Sequence, residues 1–463
     1  MGMWRCVRHR RAGERMSRSA LGGPDVRVDL PGGGLCYTAF GMKRERIELL
    51  ERLHERLPEA TRRALDQAVS LAEQGGADLY LVGGGVRDLL LGEAQVDLDL
   101  VVEDDALALA SAAGAALAAR VVHHPRFGTA VVQGEDFRLD LAQARRERYE
   151  RPGALPSVEQ ARLAEDLGRR DFTINTLALR LGGVRAGEVI DPYGGRKDLS
   201  DRLLRVLHDG SFRDDATRIL RALRYAGRLG FRLEAGTEAL LRRDLSYLET
   251  ISGARLRHEL ERIASEERRL EIVCLASKLG VLAAVHPALR ANERGALAGL
   301  GEVTASHRDA VLFGLLLAEA TPGEAEAAID RLALTGRQEA AVRGLLALRE
   351  QEALLARTAL RPSEAALLLA PHAPAAIEAF ALIAGRPRAA QRARRYLQEW
   401  RYVRPRLNGR DVEALGVPHG PQVGAALASL REARLDGRTK SREDEVALLR
   451  RSGSPALVEA RRG

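Results

Sequence analysis

Residues 79–102 constrain this chain more than any other stretch. A short apolar run, Leu79-Tyr80-Leu81-Val82, breaks into three consecutive glycines, Gly83-Gly84-Gly85, followed by Val86-Arg87-Asp88. A second apolar run, Val96-Asp97-Leu98-Asp99-Leu100-Val101-Val102, then carries two carboxylates. Runs of this length flanked by glycine predict strands, and the glycines let backbone approach a ligand and leave amides facing an anion. Arg87 adds a guanidinium whose fork suits phosphate. Residues two apart on a strand share a face, so Asp97 and Asp99 project together. Such a pair repels itself unless a cation intervenes, and Mg²⁺ suits a site where phosphate completes the ligand shell. The segment therefore implies a metal-assisted site for a nucleoside triphosphate.

With 463 residues the chain accommodates two to four domains. Aromatics make up only 4%, and Ala, Leu and Arg dominate, which favours helix over sheet. A net charge of +8 favours a polyanionic partner. Cys6, Cys36 and Cys274 lie too far apart to suggest a disulfide framework or a thiolate zinc site. No apolar run approaches the roughly 18 residues of a membrane span, so a cytoplasmic protein without membrane attachment is expected. Residues 1–41 contain seven arginines against Glu14, Asp25 and Asp29, with no apolar periodicity. They are expected to be a disordered arm or to precede the true start, with Met42 opening the folded protein.

Apolar positions at helical spacing from Ile47 to Leu71 predict one or two amphipathic helices. An α/β unit follows, with strands at Leu79–Val82, Val96–Val102, Thr129–Gln133 and Phe137–Leu141 and a helix near 104–119. Residues 143–169 are polar and arginine-rich and read as a mobile loop. Helical pattern resumes at Asp171 and continues almost to the end. No fixed-period repeat is evident.

Three further constellations carry chemistry. Asp140, in Phe137-Arg138-Leu139-Asp140-Leu141, is a third carboxylate in an apolar strand. It joins Asp97 and Asp99, or it is a strand-end acid capped by Arg138 or solvent. Arg169-Arg170-Asp171-Phe172-Thr173-Ile174-Asn175 closes the basic loop, with Asp171 available as a helix N-cap and two arginines placed to clamp a triphosphate. The plainer alternative is a solvated arginine pair. In the segment from Arg213 to Tyr225, Arg218, Arg221, Arg224 and Arg228 fall within an arc of about 120° at helical spacing. Ile219, Leu223 and Ala226 lie nearly opposite. Asp214 and Asp215 precede the helix, and Asp215 with Arg218 offers acceptors and donors suited to a base edge. An arginine face is more often simply solvated. Asp191, in Ile190-Asp191-Pro192-Tyr193-Gly194-Gly195, reads as structural.

Together these segments resemble the class II tRNA nucleotidyltransferases, the CCA-adding enzymes and their bacterial poly(A) polymerase relatives. Gly83-Gly84-Gly85-Val86-Arg87-Asp88 with Asp97-Leu98-Asp99 is similar to the family's first motif. Arg169-Arg170-Asp171 through Asn175 is similar to its second, and Asp191-Pro192-Tyr193-Gly194-Gly195 to its third. Asp214-Asp215-Ala216-Thr217-Arg218 resembles the E-D-x-x-R motif, with Asp214 where Glu is usual. Ala254 stands where the family often carries Glu. The segment Asn408–Pro421 resembles the tRNA-gripping C-terminal region more loosely. Arg146–Pro156 looks like the loop of lineages that divide CC-adding from A-adding.

The resemblance implies an α+β architecture: an N-terminal polymerase-beta-like α/β nucleotidyltransferase head (42–182), then an all-α neck for base recognition (183–265), body (266–400) and tRNA-binding tail (401–463). It implies Mg²⁺ held by Asp97 and Asp99, with Asp140 as a further catalytic carboxylate. Gly84, Arg87 and Arg170 would contact phosphates of CTP or ATP, with Asp171 and Asn175 in the same nucleotide site. Asp215 and Arg218 would pair with the base edge, supported by Arg221 and Arg224. The expected reaction is template-free nucleotidyl transfer to the 3′ end of tRNA, releasing pyrophosphate, with no protein partner evident. Rivals are a CC-only or A-only enzyme, a poly(A) polymerase, a non-catalytic RNA-binding protein, and a small-molecule nucleotidyltransferase.

Overall fold

The computed structural model describes residues 44–94, 96–148, 157–291 and 294–451, together with the strand pair β1 (Arg27–Val28) and β2 (Tyr37–Thr38). The expectation of an arm over residues 1–41 otherwise lies outside the described residues. Contacts divide the chain into two units. One runs to Ala144 and adds 161–163 and 177–190; the other holds 145–160, 164–176 and everything from Asp191 onward. The chain thus passes between units several times, rather than once near residue 182.

The first unit is a sheet with helices. Helices α1 (Arg44–Arg56) and α2 (Glu59–Gln74) lead into β3 (Leu79–Val82), all four of whose residues are buried. Then come α3 (Gly84–Leu91), β4 (Asp99–Val102), α4 (Ala106–Ala116), β5 (Arg120–His124), β6 (Thr129–Gln133) and β7 (Arg138–Gln143). Two later strands, β10 (Ala178–Arg180) and β11 (Val189–Ile190), complete a seven-stranded mixed sheet in the order β11-β10-β3-β4-β7-β6-β5. Only β4 and β7 run parallel; the other neighbours are antiparallel. Asp105 starts α4, its Oδ1 accepting from Leu107 N at 2.9 Å and Ala108 N at 3.0 Å. Helix α4 packs on α2 and on β5, β6 and β7.

Three expectations are corrected here. The glycine turn is a helix start: Gly83 alone is left-handed, at φ 66°, and Gly84 already begins α3. The segment 143–169 is more ordered than a loop, because β8 (Arg145–Arg148) and β9 (Ser157–Gln160) pair antiparallel and α5 spans Leu163–Gly168. Cross-strand pairing such as Arg146 with Glu159 at 2.8 Å lets a polar ribbon form without apolar alternation. Residues 149–156, central to the division-of-labour comparison, lie outside the described residues. Finally, no long helix opens at Asp171. A single 3₁₀ turn, Thr173–Asn175, gives way to the short strand β10, where Leu179 alternates with Ala178 and Arg180 at strand period.

The second unit is helical apart from the β8–β9 ribbon and a two-residue parallel pair, β12 (Leu203–Leu204) with β13 (Arg232–Leu233). Asp191 caps α6 (Gly195–Asp201), accepting from Gly195 N at 2.7 Å and Arg196 N at 3.0 Å, the structural role expected of it. After α7 (Ser211–Asp214), α8 (Thr217–Leu229) is the central helix of the arginine constellation. Helices α9 (Ala235–Arg243) and α10 (Gly253–Ser265) follow, and helices continue to Arg451. Near the C-terminus Leu407, Val412, Val417 and Leu430 form a small core of their own. Among the described residues, no single helix is long and apolar enough to cross a membrane.

Candidate active site

In the sheet unit the carboxylates gather at one end of the central strands. Asp99 and Asp140 are register partners across the parallel pair β4–β7, so their side chains leave the same face side by side. Asp97 lies two residues before Asp99 and, like it, is exposed. Gly85 sets the position of Asp97: a Cβ there would lie 2.4 Å from the Asp97 carbonyl oxygen and 2.9 Å from Leu81 Cδ1. Only glycine allows α3 to pack this closely on Leu81 of β3 and on the backbone just before β4. Asp140 is also held by Arg138, whose Nε and Nη2 donate to it at 2.8 and 2.7 Å, as its plainer reading expects.

Arg87 is placed differently from the open phosphate fork expected of it. It is 2% exposed, and its Nε and Nη2 donate to Asp88 at 2.8 and 2.9 Å. The guanidinium lies near Gly84, 3.5 Å from where a Cβ on that residue would be. The pair therefore braces the start of α3.

In the helical unit the second and fourth motifs meet. Asp171 is the hub. Its Oδ1 accepts from Phe172 N at 2.9 Å and Asn175 Nδ2 at 2.8 Å, and its Oδ2 from Arg221 Nε at 3.0 Å and Nη2 at 2.6 Å. Burial pushes the Asp171 pKa up, but Arg221, the Asn175 amide and Arg218 outweigh it and hold the carboxyl below its ordinary range. Asp171 therefore ties the second motif to α8 rather than capping a helix. Arg169 and Arg170 are not a solvated pair, since both grip the fully buried Asp166, at 2.8 and 3.0 Å. Burial raises the Asp166 pKa, and the two arginines more than reverse that.

The arginine face of α8 is largely internal. Arg218 and Arg224 are buried, whereas Arg228 is exposed. Arg218 Nη1 donates to Ser211 Oγ at 2.8 Å, and its Nη2 to the Arg169 carbonyl at 2.7 Å. Arg224 pairs with Glu266 at 3.2 Å and lies 3.6 Å from Glu259, and its guanidinium stacks over Tyr225 at 4.8 Å. Asp215 Oδ1 accepts from Thr217 N at 3.0 Å and Oγ1 at 2.7 Å, while Oδ2 accepts from Arg255 at 2.8 Å. Asp166, Arg255 and Glu259 went unnoticed as site residues. Asp166 and Glu259 are carboxylates in helical stretches with arginine three or four residues away, a pattern that usually marks a solvated face.

Comparison with known proteins then gives the class. Residues 79–205 match the family model described as the poly A polymerase head domain. Residues 230–292 match one described as the probable RNA and SrmB-binding site of polymerase A. A CC-adding tRNA nucleotidyltransferase of Deinococcus radiodurans is 36% identical over 82% of this chain and 91% of its own length. An A-adding tRNA nucleotidyltransferase of Geobacter sulfurreducens is 32% identical over 87% of this chain; the chain spans 48% of that longer relative. The Thermotoga maritima CCA-adding enzyme complexed with tRNA superposes with a TM-score of 0.73 at 28% identity, covering 89% of this chain and all of that one. The chain belongs to the class II tRNA nucleotidyltransferases.

Proposed function

We propose that this chain transfers nucleotidyl groups from CTP or ATP to the 3′-hydroxyl of tRNA in the cytoplasm, releasing pyrophosphate. The observation that carries the reading is the register of Asp99 with Asp140 at an exposed strand end, with Asp97 two residues before it. An oxygen-only donor set of this kind fits a hard divalent cation. Asp97 and Asp99 would hold Mg²⁺, which when bound supplies charge neutralisation for phosphoryl oxygens and lowers the barrier to nucleophile deprotonation.

The chain's own residues do the rest. Gly84 and the start of α3 offer backbone amides to phosphate, with Arg87 bracing that turn, and Arg170 adds positive charge. Asp171 and Asn175 fix the second motif against α8. Asp215 and Arg218 would select the base, because a wrong edge leaves their donors and acceptors unmet, at about 1–3 kcal/mol each. Arg221 and Arg224 support the helix that carries them. Alignment and charge stabilisation account for most of the catalysis.

Incubating the purified chain with tRNAs lacking A, CA or CCA, with CTP and ATP, and sequencing the products tests this. Asp97→Ala is expected to abolish incorporation while tRNA binding survives; undiminished incorporation overturns the assignment. A second reading, addition of CC alone or A alone, draws support from the specialised relatives, each of which matches more than four-fifths of the chain.

A further inference from the structure

Most arginines of the neck and of the first body helix answer to a carboxylate. Arg257 lies 3.3 Å from Glu261, Arg262 3.1 Å from Glu259, Arg268 3.4 Å from Glu271, and Arg224 and Arg255 are paired as described. Arg269, and Arg308 farther along the helical body, are not so paired. Neither has a carboxylate within ion-pair distance among the described residues, yet both are half-buried and converge on one backbone position, Gly301. Arg308 Nη2 lies 3.4 Å from the Gly301 carbonyl oxygen. Arg269 Nη1 lies 3.7 Å from where a Cβ on Gly301 would be. Arg269 Nε donates to the Ala264 carbonyl at 3.1 Å, which fixes its direction, and Arg308 Nε is buried without a hydrogen-bond partner.

Two cations aimed at one spot repel. Burial and the Arg308 charge both push the Arg269 pKa down, and Glu267 offsets this only in part. Such an arrangement is relieved by an anion with several acceptor oxygens, and arginine forks match phosphate in shape as well as charge. We propose that Arg269 and Arg308, with the backbone at Gly301, form a phosphate-binding site in the helical body that takes a backbone phosphate of tRNA, separate from the nucleotide site. Arg269 falls inside the matched RNA-binding segment, and Arg308 lies beyond it. Duplex RNA is held mainly through such backbone contacts, since its sequence edges are hidden. The inference rests on the tRNA reading above and adds a place where the RNA is gripped.

The test is tRNA binding by filter retention across a salt series, for the full-length chain and for Arg269→Gln/Arg308→Gln. The double substitution is expected to weaken tRNA binding by roughly tenfold and to reduce the slope of log K against log salt by about one. ATP and CTP affinities should stay unchanged. Equal tRNA affinity and slope in a folded double variant overturns the proposal. Should that variant not fold, hydrogen exchange on the unaltered protein decides: tRNA should slow exchange in peptides covering 264–271 and 300–309, and no protection there overturns the proposal. Protection produced equally by inorganic phosphate, with tRNA affinity unaltered in Arg308→Gln, also overturns it, as that marks a free-phosphate site. An unaltered chain that binds no tRNA at any salt sinks the functional reading itself, which separates the two failures.

Discussion

Replacing Asp171 with asparagine tests whether the helical half of the site is an electrostatic construction. The substitution keeps the shape, and the amide oxygen can still accept from Phe172 N and Asn175 Nδ2, as Oδ1 does now at 2.9 and 2.8 Å. The amide nitrogen then falls where Oδ2 accepts two bonds from Arg221, so a donor faces a donor. Breaking a buried pair from one side costs roughly 3–5 kcal/mol. Arg221 keeps 26% side-chain exposure and has Glu259 at 3.9 Å as an alternative, so about 2–3 kcal/mol is expected. Urea unfolding at pH 7, followed by far-UV circular dichroism, should show a midpoint lowered by roughly 1 M. The depressed carboxyl pKa sets the sign of the pH dependence. Its stabilisation is fully present above the ordinary value of 3.8 and fades as pH falls through the lower folded value. The gap between the two proteins should therefore be constant near neutrality and close below pH 3.8. A midpoint shift under a quarter molar at pH 7, or a gap that widens on acidification, would refute the reasoning.

Gly85→Ala should destabilise the sheet unit by about 1–3 kcal/mol, because the new methyl meets the Asp97 carbonyl and Leu81. Gly84→Ala, whose methyl meets only Arg87 at 3.5 Å, should stay within about 1 kcal/mol in the same urea titration. Arg218→Lys removes the two-pronged hold on Ser211 and the Arg169 carbonyl, and competition between CTP and ATP in a single reaction should show blurred selection. A slower enzyme with intact selection would count against Arg218 in that role.

How much of this was legible in the sequence follows the physics of each signal. The strand after the glycines was readable because an apolar run flanked by glycine is a local signal, but it begins at Asp99, so Asp97 precedes it and does not share its face by strand period. The pairing of Asp99 with Asp140 was not readable, since register across a parallel crossover depends on how some forty intervening residues fold. Strand β5 escaped notice because Arg120-Val121-Val122-His123-His124 has only two apolar residues, and its partners lie in β6. Strand β10 lies in a helix-forming stretch, and its three residues have no local signature beyond a short alternation. The direction of the Arg87 fork was not legible for a related reason. Its fork suits phosphate equally well whether it is offered to solvent or turned onto Asp88, and only the packed structure shows the second.

The arginines of α8 bring the chemistry and the architecture together. A pair that reads a base edge discriminates by leaving donors and acceptors unmet when the wrong base enters. That penalty survives only if the side chains cannot swing round to repair the mismatch. Arg218 is pinned by the Ser211 hydroxyl and the Arg169 carbonyl, and Asp215 by Thr217 and Arg255. The segment that carries the Arg169 carbonyl is itself held, by Asp166 through the side chains of Arg169 and Arg170 and by Asp171 through Arg221. Burying this much charge is favourable only when it is matched: Asp166 of α5 meets Arg169 and Arg170, Asp171 meets Arg221 and Glu259 of α10 lies by Arg224, while Arg218 is met by a hydroxyl and a carbonyl. Selectivity in the proposed site would therefore come from the rigidity of this lattice more than from the reach of any one arginine.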